Sequence, residues 1–270
     1  MVHLYQILLI SLFVLGTLIV SPSSKAEVLF EGYYKIKAGE KPVGYTVQRY
    51  EFDAKKKQFK STYFIKTNAS AGGISESLKA VANEKFQPIS YQYTAKVGDK
   101  AKTIDAHFEK GVMNAVVSDG KNSQQISKKI ESGTFLSTFL GYLMLQNGYS
   151  VGKKYTYKAI AEEEASIHPG VALIKEEQKY KGHSTFRILN DFKNSKFVSF
   201  VTPKGEVLTT SSPVQKISTE LVAQPAEATS WLRIPAKTMK LLFGTIPVGK
   251  KNLLATSTPA VPTPEKPMES

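Results

Sequence analysis

Along most of this chain, apolar and polar residues alternate one by one. In 89-ISYQYTAKV-97, Ile89, Tyr91, Tyr93, Ala95 and Val97 fall on one side and Ser90, Gln92, Thr94 and Lys96 on the other. A period of two is the mark of a half-buried antiparallel strand. The alternation recurs at about 28–38, 43–53, 58–67, 74–84, 101–109 and 112–118, then at about 153–161, 171–180, 183–192, 195–202, 206–211 and 213–222. The separators, among them Ala-Gly-Gly, Gly-Asp-Lys, Asp-Gly-Lys-Asn, Lys-Gly-His and Pro-Lys-Gly-Glu, carry turn chemistry. The pattern predicts an all-β, mainly antiparallel fold: a curved sheet or open barrel of ten or more strands.

Two segments break the alternation. In 134-TFLSTFLGYLMLQN-147 apolar residues occupy almost every side, which predicts a short buried helix, capped by Thr134 and stopped by Asn147-Gly148. Near the end, 236-AKTMKLLF-243 reads as a small amphipathic helix closed by Gly244. The β-rich domain is expected to span 27–249. From 250 to 270 the chain is rich in Pro, Ser and Thr, a composition that predicts a disordered tail.

The other end has different chemistry. Ile7 to Val20 is apolar but short for a membrane span, and Ser24-Lys25-Ala26 places small residues where a signal peptidase reads. Residues 1–26 are therefore expected to be a signal peptide cleaved after Ala26. An uncleaved anchor is the alternative, since Met-Val-His supplies no Lys or Arg. Export, a length of 270 residues and no cysteine point to a periplasmic domain stabilised by its core alone, with secretion as the alternative.

The formal net charge of +13 favours anionic neighbours. In an exported protein these are lipid, glycan or other envelope components rather than nucleic acid. The chain has no His-Glu-x-x-His and no phosphate-cradling Gly-rich motif. Asp105 and His107, in 105-DAHFE-109, share one strand face, opposite Ile104, Ala106 and Phe108, and two ligands do not make a metal site. His168-Pro169-Gly170 and Gly182-His183 look like turns, and Glu162-Glu163-Glu164 like a solvated run. No catalytic residue, metal site or cofactor is predicted.

Tyrosine is abundant in the first half. In 29-LFEGYYKIKAGEKPVGYTVQRYEFD-53, Phe30, Tyr34 and Ile36 share a parity, and Tyr33 has the other. Val43, Tyr45 and Val47 share one face of the second strand, and Tyr50 and Phe52 the other. The tyrosines thus divide between two faces, as packing requires. Tyr33, beside Lys35 and Lys37, is the one expected at the surface.

The Gly-Tyr-Tyr start, Val43-Gly44-Tyr45, Pro88-Ile89-Ser90-Tyr91, the central helix, Gly152-Lys153-Lys154-Tyr155, 179-KYKGHSTFRI-188 and 197-FVSFVTPKGEVL-208 follow one another in a telling order. Over about residues 29–222 the chain resembles a family of uncharacterised bacterial periplasmic β-domains, found alone or beside transglutaminase-like domains. That resemblance implies an envelope β-domain without the transglutaminase nucleophile. At the level of fold the chain is also similar to periplasmic lipoprotein and lipid carriers. The leading expectation is a non-enzymatic module that binds an amphiphilic or anionic envelope component, with Tyr91, Tyr93, Phe139, Tyr142 and Met144 lining a cavity. The alternatives are a structural or protein-interaction envelope protein, and a glycan or peptidoglycan hydrolase using scattered carboxylates.

Overall fold

The computed structural model describes residues 26–247. Residues 1–25 of the expected signal peptide and the whole of the Pro/Ser/Thr-rich tail lie outside the described residues. The described strands are β1 (Glu27–Ala38), β2 (Lys41–Asp53), β3 (Gln58–Thr67), β4 (Ile74–Asn83), β5 (Pro88–Val97), β6 (Lys100–Glu109), β7 (Val112–Ser118) and β8 (Ser123–Lys129). They continue with β9 (Phe135–Leu136), β10 (Lys154–Ala161), β11 (Ser166–Tyr180), β12 (His183–Phe192), β13 (Ser195–Val201), β14 (Val207–Ser212) and β15 (Ile217–Leu221). The helices are α1 (Leu140–Gln146), α2 (Pro225–Thr229) and α3 (Ala236–Phe243).

All fifteen strands form one sheet in the order β8-β7-β6-β5-β4-β3-β2-β1-β15-β14-β13-β12-β11-β10-β9. The arms are meanders of hairpins except at β9, which pairs in parallel with β10, and they join where β1 pairs with β15. The free edges, β8 and β9, are consecutive in sequence and separated by residues 130–134. Such a link reaches about 20 Å, whereas fifteen strands laid flat would span roughly 65–70 Å. The connection therefore obliges the sheet to curl into an open barrel.

Local sequence sets the hairpins. The two-residue turns Lys110-Gly111, Lys181-Gly182 and Lys193-Asn194 have positive φ at both positions, the geometry that matches strand twist. The 39–42 turn is tighter than expected: only Gly39 and Glu40 lie outside the strands, and Lys41-Pro42 begins β2. Strand β11 begins at Ser166, so His168, Pro169 and Gly170 are in a strand and not in a turn. Proline is tolerated because β11 pairs with β12 only from Gly170 onward, leaving the Pro169 nitrogen side without a ladder partner. Gly170 makes room for the Tyr157 ring across the β10–β11 pair; a Cβ there would lie 2.3 Å from Tyr157 Cζ. Strand β8 is mostly exposed on both faces, and its polar sequence gives no alternation to detect.

The expected helix at 134–147 is shorter. Phe135 and Leu136 pair in parallel with Ala159 and Ile160 of β10, residues 137–139 form a 3-10 turn, and only 140–146 is α-helical. Thr134 does not cap it, whereas Asn147 does close it, through its backbone and side-chain donors to Leu143 O. The segment is apolar all round because it sits inside the barrel. Phe135, Leu136, Phe139 and Tyr142 pack against Leu78, Tyr91, Ile104 and Met113 of one arm. Met144 packs against Ala172, Ile174, Phe186 and Ile188 of the other.

Outside the barrel, α2 and α3 cover β1–β3. Met239, Phe243 and Ala228 bury Tyr33, Tyr45, Val47 and Phe64. Beneath this cover Arg49 donates to Glu31 (Nε···Oε2 2.6 Å) and to Phe243 O (3.0 Å), and its guanidinium lies 5.2 Å from the Phe243 ring centroid.

Candidate functional site

The barrel interior is the natural place for a ligand, and here it is filled by protein. Tyr91, Tyr93, Phe139 and Tyr142 are brought together as expected, but as members of a packed core and not as cavity walls. Phe139 is 0% and Tyr91 1% exposed. Met144 faces the opposite arm and borders a pocket of about 260 Å³ between α1 and β10. Tyr33 is buried and not a surface contact: its hydroxyl donates to the Pro247 carbonyl beneath the α2–α3 cover. Strand parity assigns Tyr33 to a face but does not show what a distant segment will cover.

The inserted segment is held by a polar clamp on Thr138. Tyr50 donates to Thr138 O (2.8 Å), Ser61 Oγ meets Thr138 Oγ1 (2.7 Å), and Thr138 N donates to Glu162 (3.2 Å). Glu162 also accepts from Ser137 Oγ (2.6 Å). Burial pushes the Glu162 carboxyl up to about 7, against the opposing pull of the Ser137 bond. Nearby on the inner face, Tyr63 donates to Glu76 (2.6 Å), and burial raises the Glu76 carboxyl as well.

Of the run Glu162 to Glu164, Glu162 is buried, Glu163 half-buried and only Glu164 exposed; they lie in the β10–β11 turn, and this turn is the barrel's closing piece. Lys102 of β6 donates to Glu163 O (2.7 Å) and Lys128 of β8 to Ala165 O (3.1 Å), while Ala161 and Ala165 are fully buried. Lysines from the far edge therefore reach the turn across the seam. Lys193 pairs with Glu163 and Glu164, and its ammonium holds the Glu164 carboxyl down to about 2. No signal in the sequence distinguishes this buried turn from an exposed one.

The turn also gathers Ser166, His168 and Glu164. Ser166 Oγ lies 2.7 Å and Glu164 Oε2 3.0 Å from the same His168 nitrogen, Nε2. A hydrolytic triad needs the nucleophile and the acid on opposite ring nitrogens, so this arrangement does not relay a proton. Asp105 and His107 face outward, 3.1 Å apart, and no third His, Asp or Glu completes a metal-binding group with them among the described residues. His183 begins β12 and borders a pocket of about 320 Å³ with Lys35, Tyr180, Lys181 and Glu220. The acids there are engaged: Glu220 pairs with Lys37 and Lys181, and Glu227 accepts from Gln224 N.

The fold and its filled interior define a class: open, internally plugged antiparallel β-barrels. The chain belongs to the family described as a protein of unknown function, DUF3108, which matches residues 33–189. Among solved structures it is similar to a β-barrel-like protein of the domain of unknown function DUF1849 from Brucella abortus. That likeness has 11% identity and a TM-score of 0.53 and covers 72% of this chain and 96% of the other. A DUF1089 family protein from Pseudomonas aeruginosa aligns at 12% identity and a TM-score of 0.37, over 62% of this chain and 89% of that one. No curated protein matches. No helix among the described residues is long and apolar enough to cross a membrane.

Proposed function

We propose that the protein is a non-enzymatic module of the cell envelope that binds an anionic or amphiphilic envelope component on its outer surface. The observation that carries this reading is the occupied interior. Phe135, Leu136 and Phe139 take the space that a carrier of this shape would keep for its cargo, at 2%, 0% and 0% exposure. Binding then falls to the exterior, where a chain of net charge +13 attracts anions. The export expected from the N-terminal sequence places the protein among lipid phosphates and acidic glycans.

The test is purification under native conditions, followed by mass spectrometry of extracted lipid and by sedimentation with anionic vesicles and with cell-wall sacculi. The expected result is little stoichiometric lipid, and salt-sensitive retention on anionic material. Stoichiometric lipid released only on denaturation would instead indicate an internal carrier. Failure to bind any anionic envelope material would end the proposal.

A further inference from the structure

A groove of about 330 Å³ runs between α3 and the outer face of β4 and β5. Its floor is built by strand register: Ser75 lies opposite Lys96, Ser77 opposite Thr94, and Lys79 opposite Gln92. Its wall is the side of α3 that presents Thr238, Leu241 and Leu242. None of the lining residues is acidic. Among the described residues, the side chains of Ser75, Ser77, Thr94 and Lys96 have no hydrogen-bond or ion-pair partner within the protein. Lys79 spends one ammonium donor on Leu241 O (2.9 Å), which fixes the end of α3 and leaves two donors directed elsewhere.

Leu241 is the second part of the observation. It is 76% exposed at the lip of the groove, although Met239 and Phe243 on the same helix are buried. The cationic surroundings extend beyond the groove: Lys237 and Lys240 are exposed on α3 itself, and Lys66 donates to Arg233 O at the segment leading into it. An apolar side chain next to two lysines and a row of hydroxyls suits a ligand with the same division.

We infer that this groove binds the phosphate-bearing head group of an anionic phospholipid at a membrane surface. The inference rests on the proposed exterior binding of an envelope component. Lys96 and Lys79 face the phosphate, Ser75, Ser77 and Thr94 hydrogen-bond the hydroxyls of the head group, and Leu241 meets the glycerol and the first methylenes; Gln92, at the floor, donates to Asp105 (3.2 Å) on the neighbouring strand. The absence of acid from the lining gives the charge complementarity that selects an anionic head over a zwitterionic one.

The experiment is co-sedimentation of the full chain with phosphatidylglycerol vesicles and with phosphatidylcholine vesicles, repeated with Lys96→Glu and Leu241→Gln. Both positions are solvent-exposed, and unchanged thermal unfolding confirms that the variants fold. Wild type is expected to prefer the anionic vesicles, and each variant to lose about tenfold in binding, with a greater loss when the two are combined. Wild-type binding by both single variants overturns the groove while leaving exterior binding intact. Retention on sacculi but not on phosphatidylglycerol overturns the phospholipid head group alone. Retention on neither overturns both readings. Inorganic phosphate that competes as well as vesicles do would assign the groove to the free anion instead.

Discussion

Glu162 links chemistry to stability most directly. An unfolded glutamate titrates near 4.3, whereas burial lifts this one to about 7. Between those values the folded chain holds a proton that the unfolded chain has released. Stability therefore falls as pH rises through this window, and by pH 8 the loss is roughly 3 kcal/mol. Glu162→Gln keeps an acceptor for Ser137 and removes the titration. Urea unfolding at pH 5 and pH 8 should show a smaller difference in the variant than in wild type; an equal difference would assign the effect to other groups. Gly170 is a steric counterpart. Its Cβ would strike the Tyr157 ring, whose hydroxyl donates to Asn190 (2.6 Å), so Gly170→Ala should cost about 1–3 kcal/mol in thermal or urea unfolding. Neither role was legible in the sequence. Period-two patterning assigns a residue to a face, and Glu162 and Gly170 owe their roles to what crosses that face.

For the elements, alternation along the chain predicts structure where neighbours in sequence are neighbours in space. Hairpins with Lys-Gly turns lie where alternation and turn chemistry place them, because each strand needs only the next one to pair. It falls short where a distant segment intervenes: at Phe135–Leu136, drawn into parallel pairing with β10, and at Tyr33, covered by α3. Two elements invite direct tests. Phe139→Ala would hollow the inserted segment at a fully enclosed aromatic side chain and should cost about 3–5 kcal/mol in urea unfolding. Arg49 ties α3 to the sheet through Phe243 O while neutralising Glu31, so Arg49→Ala should cost about 3–5 kcal/mol by removing a buried charge partner of Glu31. The pair Arg49→Met with Glu31→Leu should recover most of that loss. If the double variant is no more stable than Arg49→Ala, lost packing against Phe243 accounts for the cost.

On the scale of the whole molecule, curvature comes from chain connectivity and closure from side chains. The link 130–134 brings the sheet edges close, and Lys102 and Lys128 then fasten one edge to the β10–β11 turn of the other. Strand composition alone suffices to predict a curved, many-stranded sheet. The ring order is not encoded in any single strand, since it depends on β1 finding β15 at the opposite end of the domain.

That junction has a consequence for biogenesis. Of the described strands, the first and the last sit side by side in the middle of the sheet, so the two arms remain separate stacks until β15 has been made. If the chain were reopened between Lys129 and Phe135 and its described ends were joined by a linker, every strand would follow its neighbour in order. Such a circular permutant replaces the one long-range pairing by a local one, and should refold faster than the native order in stopped-flow fluorescence. Equal refolding rates would mean that insertion of the 135–146 segment, and not the meeting of the two termini, limits assembly.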